Sequence, residues 1–326
     1  MAFTVTLLAC PIVLASLRRF RVIDDPNWRS SHRTATPRGG GIAIAVGTAT
    51  AFVVAPGLDG SLRTGLLVLG LAVAAVGLAD DLTRGTSPKL RLVALVATTA
   101  LALVWLNPDS GRSTVAAVIA VGLCLVWVVS YVNAFNFMDG INGISAGQVL
   151  VVAGQVSVAS LIANQKPIAT AGAIVAAGAL AFLPFNFPQA RMFLGDVGSY
   201  LLGALVAGLV IAAVVADIPP EAAASGAVLY GADTFVTLVR RVRRGEVWHE
   251  AHREHVYQRL NDLGLSHVAV TSVVTGMAAL CAVLGVAGAQ HESGVRALAI
   301  AAIAMVAAMY IALPQMITGR RRDCLS

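Results

Sequence analysis

The chain has 326 residues, of which 57% are hydrophobic and 12% charged, with a formal net charge of +6 at pH 7. A soluble domain carries roughly 25% charged residues, so this composition excludes an ordinary cytoplasmic globule, a disordered chain and a disulfide scaffold. The positive balance comes from 21 Arg and 2 Lys, which in so apolar a chain reports membrane orientation and gives no case for nucleic-acid binding.

Apolar blocks between charged or Pro/Gly breaks fall at residues 2–17, 40–55, 65–79, 90–106, 114–132, 144–163, 168–183, 197–215, 222–239, 268–288 and 295–313. Their lengths suit helices crossing a hydrocarbon core of about 30 Å. The expected fold is an all-α, polytopic integral membrane protein, a single domain over 1–326 with about eleven transmembrane helices, ten being the alternative count. Arg18, Arg19 and Arg21 follow the first block and no basic residue precedes it, which marks a retained span and not a cleaved signal. With the amino end outside, nineteen basic residues fall on one side and four (Arg63, Arg112, Lys166 and Arg296) on the other. The positive-inside rule then places loops 18–39, 80–90, 133–143, 184–196 and 240–267, together with the carboxyl tail, in the cytoplasm. Cys10, Cys124, Cys281 and Cys324 show no CxxC spacing and read as packing residues.

Polar clusters gather in those same five loops. Asp24-Asp25-Pro26-Asn27, Arg29-Ser30-Ser31-His32 and Thr36-Pro37-Arg38-Gly39-Gly40-Gly41 follow the first block, and Asp80-Asp81 closes the third. Asn133, Asn136 and Asp139 close the fifth. Asn186 and Phe193-Leu194-Gly195-Asp196 lie between the seventh and eighth, and His249, His252, Arg253 and His255 follow the ninth. Mg²⁺ takes one or two carboxylates plus phosphate oxygens and water, and phosphoryl transfer asks chiefly for positioning and charge neutralisation. Carboxylates at helix ends, glycines admitting close backbone approach, and Arg and His as counter-charges are the residue types for that chemistry.

Each cluster also has a plainer reading. Adjacent helical residues point about 100° apart, so Asp80 and Asp81 face two neighbouring groups, unless they only form a solvated helix end. Asp196 is either an N-cap or a carboxylate aimed, with backbone N–H groups, at a phosphate-bound ion. Asn133, Asn136 and Asp139, at i, i+3 and i+6, line one helix face, where they read a nucleobase or ribose or close the helix end. Phe193 is a stacking partner for a base or an interfacial aromatic. The run His249-Glu250-Ala251-His252 lacks zinc-protease spacing; another zinc site and a lipid-facing basic loop stay open. Asp233, inside the ninth block, is expected to pair with Arg residues at the end of its own span.

Taken in order, these clusters resemble the polyprenyl-phosphate N-acetylhexosamine-1-phosphate transferases, glycosyltransferase family 4, which includes phospho-MurNAc-pentapeptide translocase. The resemblance implies a multi-pass enzyme of the bacterial inner membrane, often dimeric, with its active site facing the cytoplasm. It implies that Mg²⁺, with Mn²⁺ as a substitute, serves transfer of an N-acetylhexosamine-1-phosphate from a UDP-sugar to undecaprenyl phosphate, releasing UMP. By position, Asp196 is implied to bind Mg²⁺, and Asp80 and Asp81 to be the catalytic acidic pair and further candidate ligands. Asn136 and Asp139 are implied to form the nucleotide pocket, Asn133 and Asn186 to line it, and Phe193 to stack on uracil. His255 is implied as catalytic, with His252, Arg253, His32 and Arg38 binding substrate.

The translocase's three consecutive histidines are replaced here by His255-Val256-Tyr257-Gln258, which argues against a pentapeptide substrate. The strings around residues 29–32, 36–41 and 248–260 look most like the O-antigen-initiating branch, whose members use UDP-GlcNAc or 6-deoxy relatives. The rival from another class is a secondary transporter, which would carry ionisable groups near the bilayer midplane on broken helices; only Asp233 fits that pattern.

Overall fold

The computed structural model describes residues 1–26, 31, 34–83, 87–106, 113–247 and 252–323. Its helices are α1 (Ala2–Arg19), α2 (Gly41–Val54), α3 (Gly60–Thr83), α4 (Pro88–Leu106), α5 (Thr114–Met138), α6 (Ile144–Ile162), α7 (Lys166–Asn186), α8 (Gly195–Val215), α9 (Pro220–Ala224), α10 (Val228–Arg243), α11 (Val256–Asp262), α12 (His267–Gly288) and α13 (Ser293–Asp323). Among the described residues ten helical segments are long and apolar enough to cross a membrane, with α9 and α10 together forming one of them. The chain is a multi-pass, all-α membrane protein. The apolar block that does not cross is the second, 40–55: it forms α2, whose 14 residues rise only about 21 Å and fall short of a full crossing.

The centre of the bundle is α8, buried from Val197 to Ala213 and packed on α2, α3 and α5. Small residues permit this. A Cβ at Gly41 would stand 2.1 Å from the Gly198 Cα, and one at Gly77 would stand 2.3 Å from the Asp196 carbonyl oxygen. Outward faces remain apolar, as on α5, where Val115, Val118, Ile119, Leu123 and Val126 are exposed, because here the surrounding solvent is lipid.

Helix ends run further than hydropathy alone predicts. α5 continues to Met138 and not to residue 132, so Asn133 and Asn136 are helical. Asn133 satisfies its own amide by donating to the Val129 carbonyl (2.7 Å), and a polar side chain so occupied does not end a helix. α3 likewise includes Asp80 and Asp81.

The crossing made by α9 and α10 is interrupted by a 3₁₀ turn, Ser225–Ala227. Freed backbone groups inside a bilayer must be re-paired, and α6 does this with two buried glutamines. Gln155 Nε2 donates to the Ala222 carbonyl (2.9 Å) and the Ser225 hydroxyl (2.8 Å), while its Oε1 accepts from the Gly226 N–H (2.9 Å). Gln148 donates to the Gly226 carbonyl (2.9 Å).

One small departure from pure helix matters for function. Ile23–Asp24 (β1) pairs antiparallel with Thr36–Pro37 (β2), and Arg38 forms a parallel bridge with Phe193. The segment after α1 is thereby stitched to the turn that enters α8.

Candidate active site

That stitching places Arg38. The Arg38 N–H donates to the Val22 carbonyl (3.1 Å), the Phe193 N–H to the Pro37 carbonyl (2.8 Å), and the Gly39 and Gly40 N–H groups both to the Phe193 carbonyl (3.2 and 2.8 Å). With its backbone fixed on two sides, the Arg38 guanidinium joins two helices: Nε to Asp81 Oδ1 at 2.9 Å and Nη2 to Asp196 Oδ1 at 2.6 Å.

Asp81, at the end of α3, also accepts the backbone N–H groups of Asp196 (3.1 Å) and Val197 (2.9 Å). The expectation that Asp196 caps α8, or that these N–H groups face a phosphate, is corrected by this contact. Leu194 is the N-cap and provides no side-chain bond, so Asp81 reaches across from α3 to satisfy the orphan donors and the positive helix end. Gly195 makes room for it. Its φ is +77°, and a Cβ there would lie 2.8 Å from Asp81 Oδ2 and 2.9 Å from the Gly39 Cα.

Asp196 is oriented from a third direction. Asn136, from the last turn of α5, donates through Nδ2 to Asp196 Oδ1 (2.9 Å) and to the Ser199 hydroxyl (2.9 Å). Asp196 Oδ1 is thus engaged by Arg38 and Asn136, while Oδ2 meets no partner among the described residues. Asp80 points elsewhere, to Arg91 at the start of α4 (2.7 Å). Asp24, Asp25, Asp80, Asp81 and Asp196 line one cleft of about 680 Å³ together with Arg21, Arg38 and Arg91. Five carboxylates against three guanidiniums leave an excess of negative charge suited to a cation, with the arginines available to anionic oxygens.

The residues fit a magnesium ion in one respect and limit it in another. No group of three His, Cys, Asp or Glu among the described residues is placed to enclose a metal. Mg²⁺ keeps several waters and relies on one or two carboxylates plus substrate phosphates, and Asp196 Oδ2 is the oxygen placed to serve. Both oxygens of Asp81 are already spent on Arg38 and the α8 backbone.

The remaining candidates divide. Asp139, at the carboxyl end of α5, accepts from the Ser145 hydroxyl (2.6 Å). Burial, with Asp196 adding, pushes its carboxyl up to about 7. Asn186 spends its amide on backbone, accepting from the Gly143 N–H (2.7 Å) and donating to the Met192 carbonyl (3.2 Å). It braces the two loops around the site and does not present its side chain to a ligand. Asn133 is occupied within its helix, Phe193 contributes through its backbone, and His32 lies outside the described residues, as do Arg29, Ser30 and the segment 248–251. Arg253 pairs with Asp262 (2.7 Å). His255 and His252 sit on the Phe137 ring, with centroids at 5.9 and 6.2 Å, one residue along from Asn136. Burial, His255 and Arg241 pull His252 down to about 4.

Asp139 carries a test. The unfolded carboxyl titrates near 3.9 and the folded one near 7. Between these values the native state holds the extra proton, so stability falls as pH rises through that window. Asp139→Asn mimics the protonated acid and still accepts from Ser145. Its melting temperature is expected to exceed the parent's by roughly 2–4 °C at pH 8 and to approach it below about pH 3.9, while transfer activity drops; a thermal-shift series across pH reads this, and equal slopes for the two proteins would refute it.

Sequence reasoning missed Arg91, the counter-charge of Asp80, which it counted only as a cytoplasmic cation. It also missed Ser199, three residues past Asp196 on α8, and the partners of Asp233. That carboxylate bonds His255 and not an arginine of its own span (Nδ1 at 3.0 Å).

Residues 63–214 match the family model of glycosyl transferase family 4. A probable undecaprenyl-phosphate N-acetylglucosaminyl 1-phosphate transferase of Bacillus subtilis is 27% identical over 280 residues, 82% of this chain and 78% of the relative. A decaprenyl-phosphate N-acetylglucosaminephosphotransferase of Mycolicibacterium smegmatis is 31% identical over 287 residues, 76% of this chain and 71% of the relative. A phospho-N-acetylmuramoyl-pentapeptide-transferase of Moorella thermoacetica is 35% identical over 239 residues, 65% of this chain and 73% of the relative.

Proposed function

This chain belongs to glycosyl transferase family 4, and from that premise we propose that it transfers an N-acetylhexosamine-1-phosphate from a UDP-sugar to undecaprenyl or a related polyprenyl phosphate, releasing UMP. The observation that carries the reading is the carboxylate cleft at one end of a membrane-spanning bundle, where Arg38 ties Asp81 to Asp196 and leaves Asp196 Oδ2 open. A water-soluble nucleotide and a lipid phosphate can meet only at such an end. The split of basic residues supports a reading in which that end faces the cytoplasm, with the bacterial inner membrane as the proposed working membrane. The sugar is GlcNAc or a 6-deoxy relative.

In the proposed reaction an oxygen of the lipid phosphate attacks the β-phosphorus of the UDP-sugar, and the bond to UMP breaks in line. A phosphate monoester has its second pKa near 6 and is mostly dianionic at pH 7, so no residue has to remove a proton. Bound Mg²⁺ supplies neutralisation of the charge spread over the pyrophosphate. Arg38 and Arg91 bind and orient anionic oxygens, Asn136 holds Asp196 in place, and the apolar bundle excludes water that would otherwise compete as acceptor.

The transporter alternative is disfavoured by two observations. The break at Ser225–Ala227 is plugged by Gln148 and Gln155, and the fully buried Asp233 is closed in by protein donors. Purified protein given undecaprenyl phosphate, Mg²⁺ and a panel of UDP-sugars is expected to release UMP with UDP-GlcNAc or its 6-deoxy relatives and not with UDP-MurNAc-pentapeptide. UMP release with none of them, alongside solute flux in liposomes, would favour the transporter.

A further inference from the structure

Asp233 lies on α10 with none of its side chain exposed. A carboxylate so placed is costly unless every lone pair is used. Its Oδ1 accepts from Thr237 Oγ1 (3.2 Å) and faces His255 Nδ1 (3.0 Å), its Oδ2 accepts from Tyr310 Oη on α13 (2.8 Å), and both oxygens share the Val256 N–H (3.1 and 3.0 Å). An ionised carboxylate only accepts. His255 Nδ1 therefore carries a proton, and the lone pair of the neutral ring belongs to Nε2.

That second nitrogen is where the arrangement ceases to be structural. His255 is 2% exposed, yet its Nε2 has no hydrogen-bond partner among the described residues, and the adjacent buried His252 Nδ1 has none either. The two rings lie 4.8 Å apart. They are held against the carboxyl end of α5, because Tyr257 donates to the Phe137 carbonyl (3.0 Å) and Gly140 leaves space for the Tyr257 hydroxyl. Asn136 and Asp139 flank Phe137 on that same helix end. A buried imidazole nitrogen left open on the helix end whose Asn136 holds Asp196 is a group kept for a ligand.

We infer that Asp233 is a positioning residue: it locks His255 in the Nδ1–H tautomer so that Nε2 is presented as a hydrogen-bond acceptor to an N–H or O–H group of the bound sugar nucleotide. The inference rests on the transferase reading for its substrate, but the tautomer itself does not.

Two measurements test it. In protein carrying ¹⁵N-histidine, with His255→Gln to assign the signal, the His255 ring at pH 7.5 is expected as the Nδ1–H form; the Nε2–H form, or a doubly protonated ring, would overturn the inference whatever the enzyme's activity, and even if no Asp233 variant folds. In transfer assays Asp233→Asn is expected to lower kcat/KM by about 10- to 100-fold, the scale seen when a carboxylate that orients a metal-ligating imidazole is lost. His255→Gln keeps an acceptor near the Nε2 position, and adding Asp233→Asn to it is expected to change activity by less than about 3-fold, since the imidazole to be oriented is gone. Tyr310→Phe removes a donor to the same carboxylate without touching the imidazole, and its loss is expected to be only a few-fold. Additive losses in the double variant, or a Tyr310→Phe defect as large as that of Asp233→Asn, would make Asp233 a packing anchor between α10, α11 and α13.

Discussion

Asp196→Asn is expected to abolish sugar-phosphate transfer, by about 10³-fold or more, in a protein that still inserts and melts close to the parent. The two halves of this expectation have different causes. Oδ1 is the oxygen bound by Arg38 (2.6 Å) and Asn136 (2.9 Å), and an asparagine keeps an oxygen there, so the joint between α3, α5 and α8 survives. Oδ2 becomes an amide nitrogen, which donates and cannot ligate a divalent cation. Removing one preorganised electrostatic group costs roughly 10²–10³ in turnover, and removing the oxygen placed for the metal costs more because no cluster of three ligands among the described residues stands in for it. Turnover at saturating Mg²⁺, measured beside a thermal melt, reads both halves. Activity within a few-fold of the parent would mean that the cation is held elsewhere.

What could be read in advance follows from which forces act locally. Long apolar blocks announce themselves by composition, so the helices and the end of the bundle at which Arg38, Asp81, Asn136 and Asp196 assemble were legible before any fold was seen. The pairings were not. Asp80 and Asp81 look alike in sequence, yet one binds Arg91 and the other caps α8, a division set by the crossing of α3 over α8 at Gly77 and Gly195. Asn133 and Asn136 share a helix face. Asn133 turns back on its own helix while Asn136 reaches Asp196, because only Asn136 comes level with the entry of α8. Asp233 was read by the arginines of its own span, about two turns on; its actual partners, His255 and Tyr310, arrive from the start of α11 and from α13. Arg91 gave no signal, since a lone arginine reads as orientation charge; Asn186 was implied to line the site, but its bracing contacts with Gly143 and Met192 were not legible.

Asp81→Asn is expected to damage the enzyme by a different route, and the contrast separates a metal ligand from a group that builds the ligand's platform. The Asp81 side chain is 3% exposed and carries three contacts at once: the Arg38 guanidinium and the backbone N–H groups of Asp196 and Val197. An asparagine with its oxygen at Oδ1 sets its amide nitrogen against the Val197 N–H, and the reverse orientation sets it against Arg38 and the Asp196 N–H, so either way a donor faces a donor. Breaking a buried pair by removing one partner costs roughly 3–5 kcal/mol; Arg38 is about one-third exposed, so the lower end applies, and the melting temperature is expected to fall by several degrees. Transfer is expected to drop about 100-fold, because Arg38 then leans wholly on Asp196 and draws it away from its place beside Asn136. The distinguishing measurement is a Mg²⁺ titration. In Asp81→Asn the half-saturating Mg²⁺ concentration is expected to rise severalfold and high Mg²⁺ to recover part of the rate, because Asp196 Oδ2 is still present. In Asp196→Asn no Mg²⁺ concentration recovers it. Were the two variants to respond alike to Mg²⁺, Asp81 would itself be a ligand, and its contacts with Arg38 and the start of α8 would have to open on substrate binding.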